Sequence, residues 1–185
     1  MGERPTLQTE RLTLRPFTLT DAPEVQRLAG AWEIASPTLN IPHPYPDGAA
    51  EAWIETHQPR FEAGELVNFA ITRQADGQLL GAIGLHPNAR HHHAEMGYWM
   101  GVPYWGQGYM TEAARAVLRY AFETLKLNRV YASHLTRNPA SGRVMQKIGM
   151  QFEGIMRQHV YHWDQYEDLA QYGITRADYE AQAAA

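Results

Sequence analysis

The hydrophobic period changes along the chain, and the change divides it into elements. Between residues 110 and 125 apolar side chains recur every three or four positions (Met110, Ala113, Ala114, Val117, Leu118, Ala121, Phe122, Leu125), which predicts one long amphipathic helix. Before it the period is two. Residues 66–73 place Val67, Phe69 and Ile71 in alternation, and residues 79–85 and 94–100 continue as strands. Asp76-Gly77 is a hairpin-turn dipeptide between the first two. Upstream, Leu12, Leu14 and Phe17 make residues 11–17 a strand, which Pro16 ends or confines to a sheet edge. Thr20 or Asp21 then caps a short helix through Leu28, with Pro23 in its first turn. Pro37, Pro42, Pro44 and Pro46 force residues 36–46 into an irregular loop. Asp47 is expected to cap a second helix, with Ala50, Trp53, Ile54 and Phe61 on one face and a bend at Pro59. Beyond the long helix, residues 129–135 read as a strand and residues 140–148 as a helix closed by Gly149. Residues 150–157 and 166–174 read as two last strands, and residues 181–185 as a frayed tail. The order β-α-α-β-β-β-α-β-α-β-β is mixed α/β (α+β) around a central sheet, neither a doubly wound Rossmann order nor a barrel.

Composition narrows the classes of function. The length of 185 residues suits one domain over 1–185. A net charge of -4 argues against nucleic acid and anionic membranes as partners. The absence of cysteine removes disulfides, thiolate metal sites and a cysteine nucleophile together. A polar N-terminal stretch and the lack of any long apolar run leave a cytoplasmic protein as the expectation. His91-His92-His93 invites a metal, but consecutive strand residues point to opposite faces, and a solvated turn is the better reading. No metal site is expected.

The chemistry concentrates between Glu95 and Ala114, where a strand runs through Gly106-Gln107-Gly108 into the long helix. The first N–H groups of a helix lack internal partners, and its dipole adds partial positive charge there. Glycines permit positive φ and close approach of backbone to a ligand. Main-chain N–H groups of Trp105, Gly106, Gln107, Gly108, Tyr109 and Met110 therefore form a candidate pyrophosphate cradle. A tight turn of no chemical consequence is the plainer alternative. No Gly-Lys-Ser/Thr ending supports a nucleotide P-loop, and no third glycine stands at Rossmann spacing.

Gly97-Tyr98-Trp99, Tyr104-Trp105-Gly106-Gln107-Gly108-Tyr109 and Thr111-Glu112-Ala113 resemble the acetyl-CoA segment of the GCN5-related N-acetyltransferases (GNAT), most closely a RimJ/RimL-like branch. Asn138-Pro-Ala-Ser141 with Arg143-Val144-Met145 and Lys147-Ile148-Gly149-Met150 is similar to that branch's second signature, and Glu10-Arg11-Leu12, Leu14-Arg15 and Asp21 match its opening. The likeness spans about residues 9–179. It implies the GNAT acyl-CoA acyltransferase fold, with a central sheet splayed between the strands at 94–100 and 129–135. Acetyl-CoA would be the co-substrate, its pantetheine lying along the backbone of Met100, Gly101 and Val102. Two positions depart from the wider pattern: Pro103 replaces a Gln or Arg, and Met145 stands where many members have a proton-donating tyrosine.

The resemblance also implies site roles. Asn138 would contact pantetheine, or cap the helix that follows it. A main-chain N–H near Met100 would polarise the thioester carbonyl. Ser141 would donate to the departing sulfur, or cap its own helix. Glu95 is the first candidate base and His134 the second, with an exposed strand-end charge as the alternative for Glu95. A protein α-amine with pKa near 7.7 costs about 1 kcal/mol to neutralise at pH 7, a lysine about 4.6 kcal/mol. The weaker demand favours a protein N-terminus as acceptor. A small amine (antibiotic, polyamine or amino acid), a non-catalytic acyl-CoA sensor and a generic phosphate-binding enzyme stay open, as does a homodimer. The 36–46 loop and the stretch holding Tyr161, His162 and Trp163 are expected to flank the acceptor entrance, or merely to cover the core edge.

Overall fold

Residues 2–183 are described by the computed structural model, in which the period-two segments form one sheet and the longer periods cover it with helices. The strands are β1 (Leu7–Gln8), β2 (Leu12–Arg15), β3 (Val67–Arg73), β4 (Leu79–Asn88), β5 (His93–Met100), β6 (Arg129–Leu135), β7 (Gln151–His162) and β8 (Gln165–Thr175). They lie in the order β1-β2-β3-β4-β5-β6-β8-β7. Neighbours are antiparallel except β5 and β6, which are parallel because the crossover helix α5 (Tyr109–Arg119) joins them.

Each face of the sheet carries its own core. On one, Phe69, Ile83, Leu85 and Met96 meet Ala113, Val117 and Phe122 of the α5 segment. On the other, Ala70 and Ala82 meet Phe17, Val25, Leu28 and Ile54, brought by α1 (Ala22–Ala29) and α3 (Ala49–Glu55). Coverage on both faces explains why β4 is buried continuously from Leu79 to Leu85. Burying a side chain the size of Val117 or Phe122 contributes about 1.5–3 kcal/mol, so the helical stripe anchors the crossover.

The mixed α/β order predicted from the sequence is present, with added elements and moved boundaries. The second helix is two helices, α3 and α4 (His57–Glu62). Pro59 has no N–H to give the Glu55 carbonyl and its ring would crowd that carbonyl, so the helix breaks at Thr56 and Pro59 lies in the first turn of α4. Asp47 does not cap α3: Gly48 takes the N-cap position at φ 78°, and the Asp47 carboxylate accepts from Gln26 Nε2 at 2.8 Å. Asp21 stands at the N-cap of α1, yet its carboxylate binds Arg15 Nη2 at 2.7 Å and the Thr18 N–H at 2.8 Å. A short helix α2 (Trp32–Ala35) precedes the proline-rich loop. The α-helical bonding of α5 stops at Arg119, and residues 120–124 form a π-turn in which the Leu125 N–H donates to Tyr120 O at 3.0 Å.

Helix α6 (Pro139–Lys147) ends where expected, with Gly149 at φ 88°. The last strands are longer than predicted, because Trp163 and Asp164 make their two-residue turn in left-handed conformations, φ 49° and 58°. The expected frayed tail is instead helical as far as it is described: α7 (Arg176–Ala183) starts at a box in which Thr175 N–H and Oγ1 both donate to Asp178 Oδ2. Ala184 and Ala185 lie outside the described residues. Among those described, no helix is long and apolar enough to cross a membrane.

Candidate active site

The sheet opens at its centre. β5 and β6 pair only at His93↔Arg129, Ala94↔Val130 and Glu95↔Tyr131, after which β5 follows β4 to Met100 and β6 follows β8 to Leu135. The Gly101 N–H donates to Leu80 O at 2.8 Å, on the β4 side. Strand alternation therefore turns the main chain of Tyr98 and Met100 toward the gap. The Met100 carbonyl is occupied by Trp105 Nε1 at 2.6 Å, and the Gly101 and Val102 carbonyls accept from the Tyr104 and Trp105 N–H groups. The donors left at this edge are the Tyr98 and Met100 N–H groups.

Past Met100 the chain makes a short 3-10 turn (Val102–Tyr104) and enters the glycine loop. Gly106 and Gly108 have φ 73° and 80°, and Gly108 is the N-cap of α5. The Trp105 N–H, expected in the cradle, is instead taken by Val102 O at 3.2 Å, whereas among the described residues the main-chain N–H groups of residues 106–111 donate to nothing within the molecule. They form a cradle of donors at a positive helix end, exposed at Gly106, Gln107 and Gly108. Glu112 is not free to meet a ligand. It accepts from Thr9 Oγ1, the Arg11 N–H and Arg11 Nε at 2.6–2.9 Å, tying the β1–β2 corner to α5. Arg11 also donates to Gln107 O at 3.0 Å and lies 4.5 Å over the Tyr109 ring, so a guanidinium missed by the sequence reading braces the loop.

A cleft of about 260 Å³ runs from the gap across β5 and β4. It brings Glu95, His134, Asn138 and Ser141 around one space, whereas residues 100–102 and 105–110 lie outside its lining. Its floor is read from the register. Asn68, Gly84 and Gly97 form one cross-strand row, and His86 and Glu95 form the next. A Cβ at Gly97 would meet nothing within 4 Å, so the floor is bare beside the gap. A Cβ at Gly84 would lie 2.7 Å from Asn68 Oδ1, so that amide rests on the glycine. Asn68 is held from behind by His57, whose Nε2 is 3.1 Å from Asn68 Nδ2. His57 is 1% exposed, and burial, with Arg4 and Arg60 nearby, brings its pKa down to about 4. Partial desolvation and Arg60 also lower His86, while Glu95 pulls it the other way.

The sequence reading ended β4 at Leu85 and so left His86 in a loop. The strand runs on through Pro87, opposite Ala94. The missing Pro87 N–H faces the β3 side, where β3 has already ended at Val67, and no ladder bond is lost.

Across the gap, Ser141 Oγ donates to Tyr98 Oη and Tyr98 Oη donates to the Ser141 carbonyl, both at 3.0 Å. Burial pushes the Tyr98 phenol up to about 12, so it holds its proton at neutral pH. Asn138 stands at the N-cap of α6 but makes no side-chain cap bond. The His134 Nδ1–H donates to Leu135 O at 2.8 Å, while its Nε2 is buried without a partner, close to Gly142. His91 and His92 lie in the turn before β5, and His93 opens that strand.

The remaining wall is residues 37–41 of the proline-rich loop. Its anchor is Ser36. The Ser36 carbonyl accepts from Arg137 Nη2 at 2.7 Å and His162 Nε2 at 3.0 Å, and Arg137 Nη1 donates to Ser36 Oγ at 3.0 Å. Glu167 holds the same guanidinium at 2.7 Å, and Trp32 packs edge-on against Trp163 at 4.9 Å. The loop and the β7–β8 hairpin are thus clamped together.

The chain that carries this cradle and cleft is similar to known proteins in sequence and in fold. The acetyltransferase (GNAT) domain family matches residues 11–151. An uncharacterized N-acetyltransferase of Bacillus subtilis, YoaA, is 31% identical over 182 residues, covering 93% of this chain and 97% of its own. The ribosomal protein uS5-alanine N-acetyltransferase of Escherichia coli is 25% identical, covering 94% of this chain and 92% of its own. A crystal structure of a GNAT-family acetyltransferase from Bacillus anthracis superposes with a TM-score of 0.84 at 26% identity, over 94% of this chain and 99% of that one. The chain belongs to the GNAT acetyltransferase family, as the motifs around Gly97, Gly108 and Asn138 imply.

Proposed function

We propose that this acetyltransferase moves the acetyl group of acetyl-CoA to a primary amine, by direct attack in a ternary complex, and that the amine is a protein N-terminal α-amine. The observation that carries this reading is the parting of β5 from β6 beside Glu95, with unpaired N–H groups at residues 106–111 beyond the far end of β5. The residues present fit acetyl-CoA. The cradle of Gly106, Gln107, Gly108, Tyr109 and Met110 would hold the diphosphate, and the Tyr98–Met100 edge would pair with pantetheine amides. When bound, acetyl-CoA supplies a thioester whose thiolate is a fair leaving group, with a thiol pKa of about 8.5.

The chain's own groups then handle orientation and protons. The Met100 N–H is the donor for the carbonyl oxygen. Glu95, exposed on the cleft floor, takes the ammonium proton directly or through water, so that a neutral nitrogen forms the new N–C bond; as the C–S bond breaks, the second nitrogen proton passes, directly or through water, to the departing sulfur, leaving an amide and a thiol. Ser141 places its hydroxyl at the sulfur side, fixed by Tyr98. His134 is the weaker candidate for the base, because its Nε2 is closed off beside Gly142. A small-molecule amine is the second reading, favoured by a cleft of only about 260 Å³. No step calls for a metal, and we place the reaction in the cytoplasm.

Calorimetry with acetyl-CoA, followed by thiol release from a panel of N-terminal peptides and small amines, tests the proposal. Binding followed by release with peptides supports it. Binding without release from any amine would make the chain a sensor rather than an enzyme.

A further inference from the structure

The cleft holds a charge that moving an acetyl group does not use. Arg60, on α4, lines it. Among the described residues its one ionic partner is Glu65, at 3.7 Å, with side chains 42% and 64% exposed. A pair so long and so wet holds the guanidinium weakly and leaves donors free. Asn68 and His86 line the same cleft, on the two strands beyond Glu95, and the Arg60 charge reaches His86 and the His57 behind Asn68. The cleft is therefore polarised. Among the described residues, Glu95 is its only lining carboxylate and stands where the sheet parts, and Arg60 is its only lining guanidinium.

Resting on the acetyl-transfer reading above, we propose that the acceptor amine carries an anionic group, held by Arg60 with the Asn68 amide and His86 beside it, while its nitrogen faces Glu95. The distance from β5 to β3 is two strand spacings, about 10 Å, so the anion belongs roughly 5–10 Å from the nitrogen. An acidic side chain on the second residue of a peptide spans that distance, as does the terminal carboxylate of a dipeptide. A polyamine does not suit the site, because its second ammonium would meet the guanidinium.

Two matched pairs of acceptors test this by thiol release. One is the C-terminally amidated peptides Ala-Asp-Ala and Ala-Asn-Ala; the other is the dipeptide Ala-Ala as free acid and as amide. In the wild type the acid member of at least one pair has the higher kcat/KM, by about three- to tenfold. The pair that responds tells whether the anion is a side chain or a chain end. Arg60→Gln collapses that ratio toward one, and Arg60→Lys retains most of it; calorimetry with acetyl-CoA verifies that each variant is folded. Equal rates within both pairs, or a preference that survives Arg60→Gln, would overturn the proposal. Release from none of the four, with acetyl-CoA still bound, would instead overturn the N-terminal α-amine reading, and this inference with it.

Discussion

The glycine loop and the acceptor cleft are built on opposite plans. The loop is main chain: donors at residues 106–111, in an order dictated by two left-handed glycines and a helix start that are adjacent in sequence. The cleft is side chain: Arg60 from α4, Asn68 from β3, His86 from β4, Glu95 from β5, Asn138 from the N-cap of α6 and Ser141 from α6 itself. A main-chain site tolerates side-chain change and fails when φ cannot be met. A side-chain site fails one residue at a time. On the proposed function, that difference would suit a loop meant to grip an invariant diphosphate and a cleft meant to choose among amines.

The largest test of this contrast is Glu95→Gln. Turnover at neutral pH should fall by about a hundredfold or more, with acetyl-CoA affinity near that of the wild type. An unchanged rate across a pH series would remove Glu95 as the base. Next is Gly108→Val. A β-branched residue at φ 80° is strained, and acetyl-CoA should bind about ten- to a hundredfold more weakly by calorimetry. Gln107→Ala, in the same loop, should lose no more than about threefold, since the loop binds through its backbone; equal losses in the two variants would refute the main-chain plan.

Gly97→Val fills the bare floor without backbone strain. It should raise the acceptor KM by about tenfold while urea unfolding moves by less than about 1 kcal/mol. The smallest effect concerns acid. His57 titrates near 4 when folded and near 6.5 when unfolded, so the unfolded state takes up the extra proton between those values. Its contribution is whole above pH 6.5 and is lost as pH falls toward 4. Stability from pH 7 to pH 5 should drop by about 1 kcal/mol more in the wild type than in His57→Gln. Parallel urea curves for the two proteins would show that His57 is not the sensitive group.

The two plans also explain what could be read beforehand. The loop was legible because Gly106, Gly108 and the period of the helix that follows are contiguous, and the parting of the sheet was implied by resemblance to a family. Asn68, His86 and Arg60 were not legible as site residues, because their meeting depends on the β3-β4-β5 register and on where α4 lies. Asp47 looked like a cap by residue type, but the chain needed a left-handed residue one position later. The α7 helix was readable in principle from the spacing of Thr175 and Asp178, a capping box without a long apolar stripe to draw attention to it. The Trp163-Asp164 turn carried a weaker sign, since Asp tolerates φ above zero but Trp is not a usual choice there.

The hold on Ser36 from both Arg137 and His162 has a consequence for selectivity. A proline-rich surface segment would ordinarily be ordered by its guest, and affinity would suffer by the entropy of that ordering. Here the segment is already fastened to the hairpin when the cleft is empty, so its freedom is surrendered during folding. On the proposed function, the enzyme would meet each acceptor with a segment already fastened, and discrimination would rest on the fit of a finished shape rather than on closure around whatever arrives.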